Sequence, residues 1–112
     1  MCLETNDVIQ LAGFYRWLLD IGGENIDPVH QTLIAEGTIL TVCRDGTLKR
    51  NDNRNISLAF TVDDIGAWHR RLADRGVRIV TEPVIRPWCA VNMSFLDPDN
   101  YLVWLREFRK AE

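Results

Sequence analysis

Apolar and polar positions recur with two different periods along this 112-residue chain, and the changes of period lay out its elements. Between Val8 and Leu19 the spacing is helical: Val8, Leu11, Ala12, Tyr15, Leu18 and Leu19 fall on one stripe. Asp7 stands just ahead of it, where a carboxylate accepts the orphan amides of a first turn. A helix is therefore predicted from Asp7 to about Asp20, stopped by Gly22-Gly23. Trp17 falls roughly opposite the stripe, either exposed or held in a subunit contact. Met1–Asn6 reads as a short first strand. Asn25–Ile26, Gln31–Ala35 and Thr38–Cys43 read as further short strands, split at Asp27-Pro28 and Glu36-Gly37, where Pro fixes φ and Gly accepts left-handed backbone.

The period changes to two in Ser57–Val62, with Leu58, Phe60 and Val62 on one face and Ser57, Ala59 and Thr61 on the other. The apolar set should pack under a helix and leave the small polar set facing away. Asp63 or Asp64 caps that helix, which runs to about Arg75 with Ile65, Trp68 and Leu72 as its buried stripe and Gly76 as its stop. Val77–Thr81 reads as a strand, Glu82–Trp88 as a loop with two prolines, and Val91–Leu96 as a strand. Asp97-Pro98-Asp99-Asn100 is a turn, and Tyr101–Glu107 the last strand.

Strand, Asp-capped helix and several strands thus occur twice, offset by about 57 residues from Asp7 to Asp64. The expected fold is α+β, built as two tandem βαβββ modules: module one over 1–45, a polar linker over 46–54, and module two over 55–112. Composition changes this picture little. Net charge is −3, from 13 basic and 16 acidic residues, and no basic run is present, so nucleic acid is not an expected partner. No apolar stretch reaches the roughly 18–20 residues of a membrane span, and no signal peptide is recognisable; a cytoplasmic protein is expected. Cys2, Cys43 and Cys89 form no CxxC pair and read as buried, reduced thiols rather than a zinc site.

Several of these segments resemble one family. Asp7 with Phe14-Tyr15, then L-A-F-T-V-D-D (Leu58–Asp64), R-L-A-D-R-G-V (Arg71–Val77), Pro87-Trp88 and D-P-D (Asp97–Asp99) are similar, in order and spacing, to the glyoxalase/bleomycin-resistance/extradiol-dioxygenase (vicinal oxygen chelate) superfamily. The likeness is weak from about Asp20 to Thr38, where the first module looks cut short. It implies that each module curls its sheet into a half-open cup, and that cups pair within a chain or across a dimer. Where the family has D-P-D-G-N this chain has D-P-D-N-Y; Asn100 tolerates left-handed backbone and can keep the turn.

The resemblance also implies a divalent metal on the cup face, held by His, Gln or Glu from the first and last strands of each module. In module two those positions, seven residues before the capping Asp64 and seven after Asp97, are Ser57 and Trp104. In module one the first falls ahead of Met1, and Thr38–Cys43 offers no carboxylate or imidazole. A hydroxyl and an indole do not replace charged donors, so no metal and no cofactor are expected.

By alternation the cup face presents Ser57, Ala59, Thr61, Leu102, Trp104 and Arg106, with Trp88 on the loop above and His30 either facing the cup or lying in a loop. An apolar wall with an indole and a few polar groups suits a small molecule, an aromatic one by stacking on the indole, with Arg106 pairing an anionic group. Against this, Trp104 can simply fill the cup as core, Trp88 can close it, and Arg106 can be a solvated strand end; His69, on the covering helix, needs no function. Two functions remain open: a metal-independent binding protein, like the family's drug-sequestering members, or a lyase, isomerase or dioxygenase with atypical metal ligands. A dimeric scaffold with a collapsed cup is a third possibility. A homodimer is expected because two short modules leave open sheet edges.

Overall fold

A computed structural model describes residues 1–44 and 57–109; the linker expected over 46–54 lies outside the described residues. The chain divides into two compact units, Met1–Asn51 and Asp52–Glu112. Each carries one helix on one sheet, a mixed α+β architecture as expected.

In the first unit, β1 (Cys2–Glu4), α1 (Val8–Leu18), β2 (His30–Ala35) and β3 (Thr38–Cys43) follow in order. The sheet order is β1-β3-β2, with β1 parallel and β2 antiparallel to β3. In the second, β4 (Ser57–Thr61), α2 (Ile65–Asp74), β5 (Ile79–Arg86), β6 (Ala90–Leu96) and β7 (Leu102–Phe108) form a sheet of order β4-β7-β6-β5. The second unit is the expected βαβββ. The first, among the described residues, is only βαββ.

What replaces the missing strand is a polar network. The strand expected at Asn25–Ile26 does not form. Instead the Asn25 amide donates to the Ile9 carbonyl (2.9 Å) and its oxygen accepts from Gln31 (2.7 Å). Gln31, almost fully buried, accepts in turn from the Arg16 guanidinium at 3.1 and 3.3 Å. Arg16 also donates to the Gly22 carbonyl at 2.7 Å, and a Cβ on Gly23 would stand 2.8 Å from that guanidinium. Asp27 accepts from the amides of Val29 and His30, and these two hydrogen bonds hold its carboxyl below the ordinary value.

The repeat is visible in backbone geometry. Asp7 (φ −138°, ψ 87°) and Asp64 (φ −140°, ψ 91°) both cap their helices by accepting from the amide three residues on, at 3.0 Å in each case. Of the two candidates for the second cap, Asp64 holds the place. The helix ends match too. In α2, Val77 N–H donates to Leu72 and Gly76 N–H to Ala73; in α1, Ile21 donates to Arg16 and Asp20 to Trp17. The left-handed slot is filled by Gly76 (φ 80°) in one and Asp20 (φ 52°) in the other. Thus α1 ends at Leu18, two residues short of the expected Asp20, and its left-handed stop is Asp20 itself rather than Gly22-Gly23.

Each helix buries its stripe on its own sheet. Val8, Leu11, Ala12, Tyr15 and Leu18 are buried as expected, Phe14 joins them, and Leu19 is only half-buried. Trp17 is half-buried against Phe14, with ring centroids 5.8 Å apart. In the second unit Ile65 and Leu72 are buried with Leu58, Met93, Phe95, Val103 and Leu105. Trp68 is only half-buried, with the Arg71 guanidinium 4.9 Å from its ring centroid. Among the described residues no helix is long and apolar enough to cross a membrane.

The largest departure is β5. The segment Glu82–Trp88, expected as a loop, belongs to the strand as far as Arg86, and the turn is reduced to Pro87-Trp88-Cys89. β5 is an edge strand, and its register against β6 shifts between Ile79 and Thr81 and again between Thr81 and Val84. Pro83 falls in the second shift, where no ladder N–H is required of it.

Two substitutions test this account. Asp64→Ala should lower stability by about 1 kcal/mol by removing the cap. Asp20→Gly should raise it by about 0.5–1 kcal/mol by relieving left-handed backbone strain. Urea denaturation of both variants checks the pair; a destabilised Asp20→Gly would show that the Asp20 side chain has a role beyond filling the slot.

Candidate functional site

The second unit's sheet has one face under α2 and one face turned away from it. Register decides which residues share the latter. On β4 and β7, Ser57 pairs with Leu102, Ala59 with Trp104 and Thr61 with Arg106. On β6, Ser94 stands opposite Trp104 and Asn92 opposite Arg106; on β5, Val84 stands opposite Asn92 and Arg86 opposite Ala90. Directly paired residues lie on the same side of a sheet. The alternate positions Leu58, Met93, Phe95, Val103 and Leu105 are the buried ones beneath the helix.

The expected residues Ser57, Thr61, Leu102, Trp104 and Arg106 are therefore brought together on this face. Ser57, Ala59 and Thr61 are exposed, Leu102 and Trp104 half-buried. Arg106 donates to the Thr61 hydroxyl at 3.2 Å, and its guanidinium lies 5.4 Å from the Phe108 ring centroid. Arg106 is thus held by neighbours on both sides. Trp88 is 62% exposed at the tip of the β5–β6 hairpin. His30 belongs to the first unit, exposed at the start of β2 opposite Cys43, and is no part of the second unit's sheet. His69 Nε2 stands 2.5 Å from a Glu82 carboxylate oxygen, tying α2 to β5.

Three residues not anticipated from the sequence complete the face. Arg86 Nε, Asn92 Oδ1 and Ser94 Oγ are buried and have no hydrogen-bond partner among the described residues. Ser94 is fully buried beside Trp104. A buried polar atom left unpaired costs roughly 1–3 kcal/mol, so three on one face are an anomaly that calls for a partner. The V-N-M-S-F alternation of β6 already places Asn92 and Ser94 opposite the core; Arg86 was hidden by reading its segment as a loop.

The turn before β7 sets this register. Asp97, almost fully buried, accepts from the amides of Asp99 and Tyr101 at 2.9 Å each, and Asn100 takes left-handed backbone at φ 65°, as the substitution of Gly by Asn requires. At the far end of β7, Glu107 accepts from the Ile65 amide at 3.1 Å, so the last strand also supports the start of α2.

A divalent ion needs carboxylate or imidazole donors, and this face offers hydroxyls, an amide, guanidinium groups and an indole. Among the described residues no three His, Cys, Asp or Glu side chains come together to hold a metal ion.

Residues 5–105 match the profile of the Glyoxalase/Bleomycin resistance protein/Dioxygenase superfamily. The chain belongs to that superfamily. Solved structures share the fold: a conserved domain protein (TM-score 0.81, 14% identity, 97% of this chain and 96% of that one), and a glyoxalase/bleomycin resistance protein/dioxygenase from Nocardioides (0.76, 20%, 100% and 83%). A family enzyme from Burkholderia phytofirmans is similar as well (0.76, 13%, 97% and 96%). No curated protein matches the chain.

The orphaned polar atoms make a measurable prediction. Ser94→Ala should raise the stability of the unliganded protein by about 0.5–2 kcal/mol, because it removes a buried hydroxyl that has no partner. A loss of that size in urea denaturation would show instead that the hydroxyl is satisfied.

Proposed function

We propose that this superfamily member is a metal-independent small-molecule-binding protein that holds a planar aromatic ligand with polar substituents on the open face of its second sheet. The observation that carries the reading is the set of buried polar atoms on one face without a partner among the described residues: Ser94 Oγ beside the half-buried Trp104, Asn92 Oδ1 opposite Arg106, and Arg86 Nε opposite Ala90. An acceptor or anionic group on the ligand meets Arg86, a donor meets Asn92, and Ser94 serves either role. The ring stacks on Trp104, for about 0.5–1.5 kcal/mol beyond area burial.

The same residues argue for binding without reaction. Guanidinium, amide and hydroxyl groups are poor general acids and bases near neutral pH, and among the described residues that the register places on this face there is no imidazole or carboxylate to activate Ser57 or Ser94. Sequestration of a drug or antibiotic, as in the non-reactive branch of the superfamily, is the corresponding biological role. The protein acts as a cytoplasmic homodimer: each unit's sheet, taken by itself, ends on strands with an open side. The exposed pair Ile34 and Ile39 on the first sheet adds apolar surface for a second copy to cover.

Titration with anilinonaphthalene sulfonate, an aromatic anion, tests the face. Binding should be saturable, quench indole fluorescence, and weaken by about 10-fold in Trp104→Ala or Arg86→Ala while both variants keep the native circular dichroism spectrum. Unchanged affinity in both would exclude the face as the binding surface. Elemental analysis of the purified protein should find no stoichiometric transition metal; one ion per chain would favour an enzyme with atypical ligands. Sedimentation should show a dimer at micromolar concentration, and a stable monomer would remove that part of the proposal.

A further inference from the structure

Cysteines expected to be buried are not: Cys2 and Cys89 are exposed and Cys43 is half-buried. The reason is alternation. Cys2 and Cys43 flank the buried Leu3 and Val42 in adjacent parallel strands, so both point to the side of the first sheet away from its core. In register, Cys2 stands opposite Thr41 and Cys43 opposite Glu4, which makes the two cysteines diagonal neighbours on one face. Their sulfurs lie 2.8 Å apart. Two thiolates sharing a zinc ion at about 2.3 Å each would stand nearly 4 Å apart, and among the described residues no third donor joins them. Closing to the roughly 2.05 Å of a disulfide needs under 1 Å of movement.

We propose that Cys2 and Cys43 are a two-electron redox pair, oxidised by a low-molecular-weight disulfide to an intramolecular bond that fastens β1 to β3. The exposed Cys2 thiolate attacks the oxidant, forming a mixed disulfide and releasing one equivalent of the small thiol. Cys43, already in contact, then attacks Cys2 Sγ and releases the second. Two protons leave the protein thiols, two electrons pass to the oxidant, and one S–S bond is exchanged for another. β1 is only three residues long, at the edge of its sheet, and a bond closing a loop of this length removes much of the unfolded chain's freedom. Oxidation therefore stabilises the first unit. Cys89, on the β5–β6 turn of the other unit, has no part in it and serves as an internal reference.

Incubation of the full chain with glutathione disulfide, followed by alkylation and peptide mapping, tests the pair. The expected product is a Cys2–Cys43 linked peptide, a loss of two of three reactive thiols with Cys89 still able to exchange and be recovered by mild reductant, and a rise in Tm of roughly 5–15 °C. The rise should vanish in Cys2→Ser and in Cys43→Ser and persist in Cys89→Ser. A stable glutathione adduct on Cys2, a covalent dimer through Cys2 on a non-reducing gel, or Cys2 and Cys43 both remaining alkylatable would each overturn the proposal. The peptide map of the unaltered protein decides the matter even where a serine variant fails to fold.

Discussion

Everything in the second unit depends on the register of β7 between β4 and β6. A side-chain period of two means that a one-residue slip would drive Trp104 under α2 and turn Val103 and Leu105 outward. Two constraints oppose the slip. The Asp97 carboxylate gathers the amides of Asp99 and Tyr101 at the start of the strand, and Glu107 accepts from the first helical amide of α2 at its end. Between them the buried set Val103 and Leu105 pairs with Phe60, Leu58, Met93 and Phe95, and this apolar contact gives the register its energetic weight.

The open face follows from that register, and its chemistry differs from what superfamily membership alone would suggest. Ser57 and Trp104 stand where charged donors would be expected, on neighbouring strands and one pair out of step. The rest of the face is not neutralised into ordinary core. Core packing would have put apolar groups at Asn92 and Ser94, as it does at Met93 and Phe95 beside them. Burying an amide oxygen, a hydroxyl and a guanidinium nitrogen without a partner among the described residues lowers the stability of the fold.

The first unit solves a different problem. With no strand formed between α1 and β2, residues 20–28 have no ladder to satisfy them, and the Arg16–Gln31–Asn25 network ties that segment to α1 and to the sheet. Gln31 occupies a core-side position beside Leu33, which is why its amide is fully engaged. On the other side of the same sheet the alternation leaves Cys2 and Cys43 outside the core and within reach of each other.

Elements whose signals are local were readable from the residues alone. Asp7 and Asp64 announce helix starts, Gly76 a stop, Asp97–Asn100 a turn, and L-A-F-T-V a strand with distinct faces; each is decided within a few residues. From these the superfamily, the βαβββ order of the second unit and six residues of its open face were legible. What depends on a neighbouring strand emerged with the folded chain. Pro83 reads as a loop residue until β5 is known to be an edge strand with register shifts, where a missing N–H is harmless. Asn25 reads as strand until its side-chain amide is seen to donate to Ile9 and accept from Gln31. The contact between Cys2 and Cys43 spans 41 positions of sequence, and the orphaned state of Arg86, Asn92 and Ser94 is a property of everything that fails to reach them. Local propensity cannot report either, because both are set by which strands lie side by side.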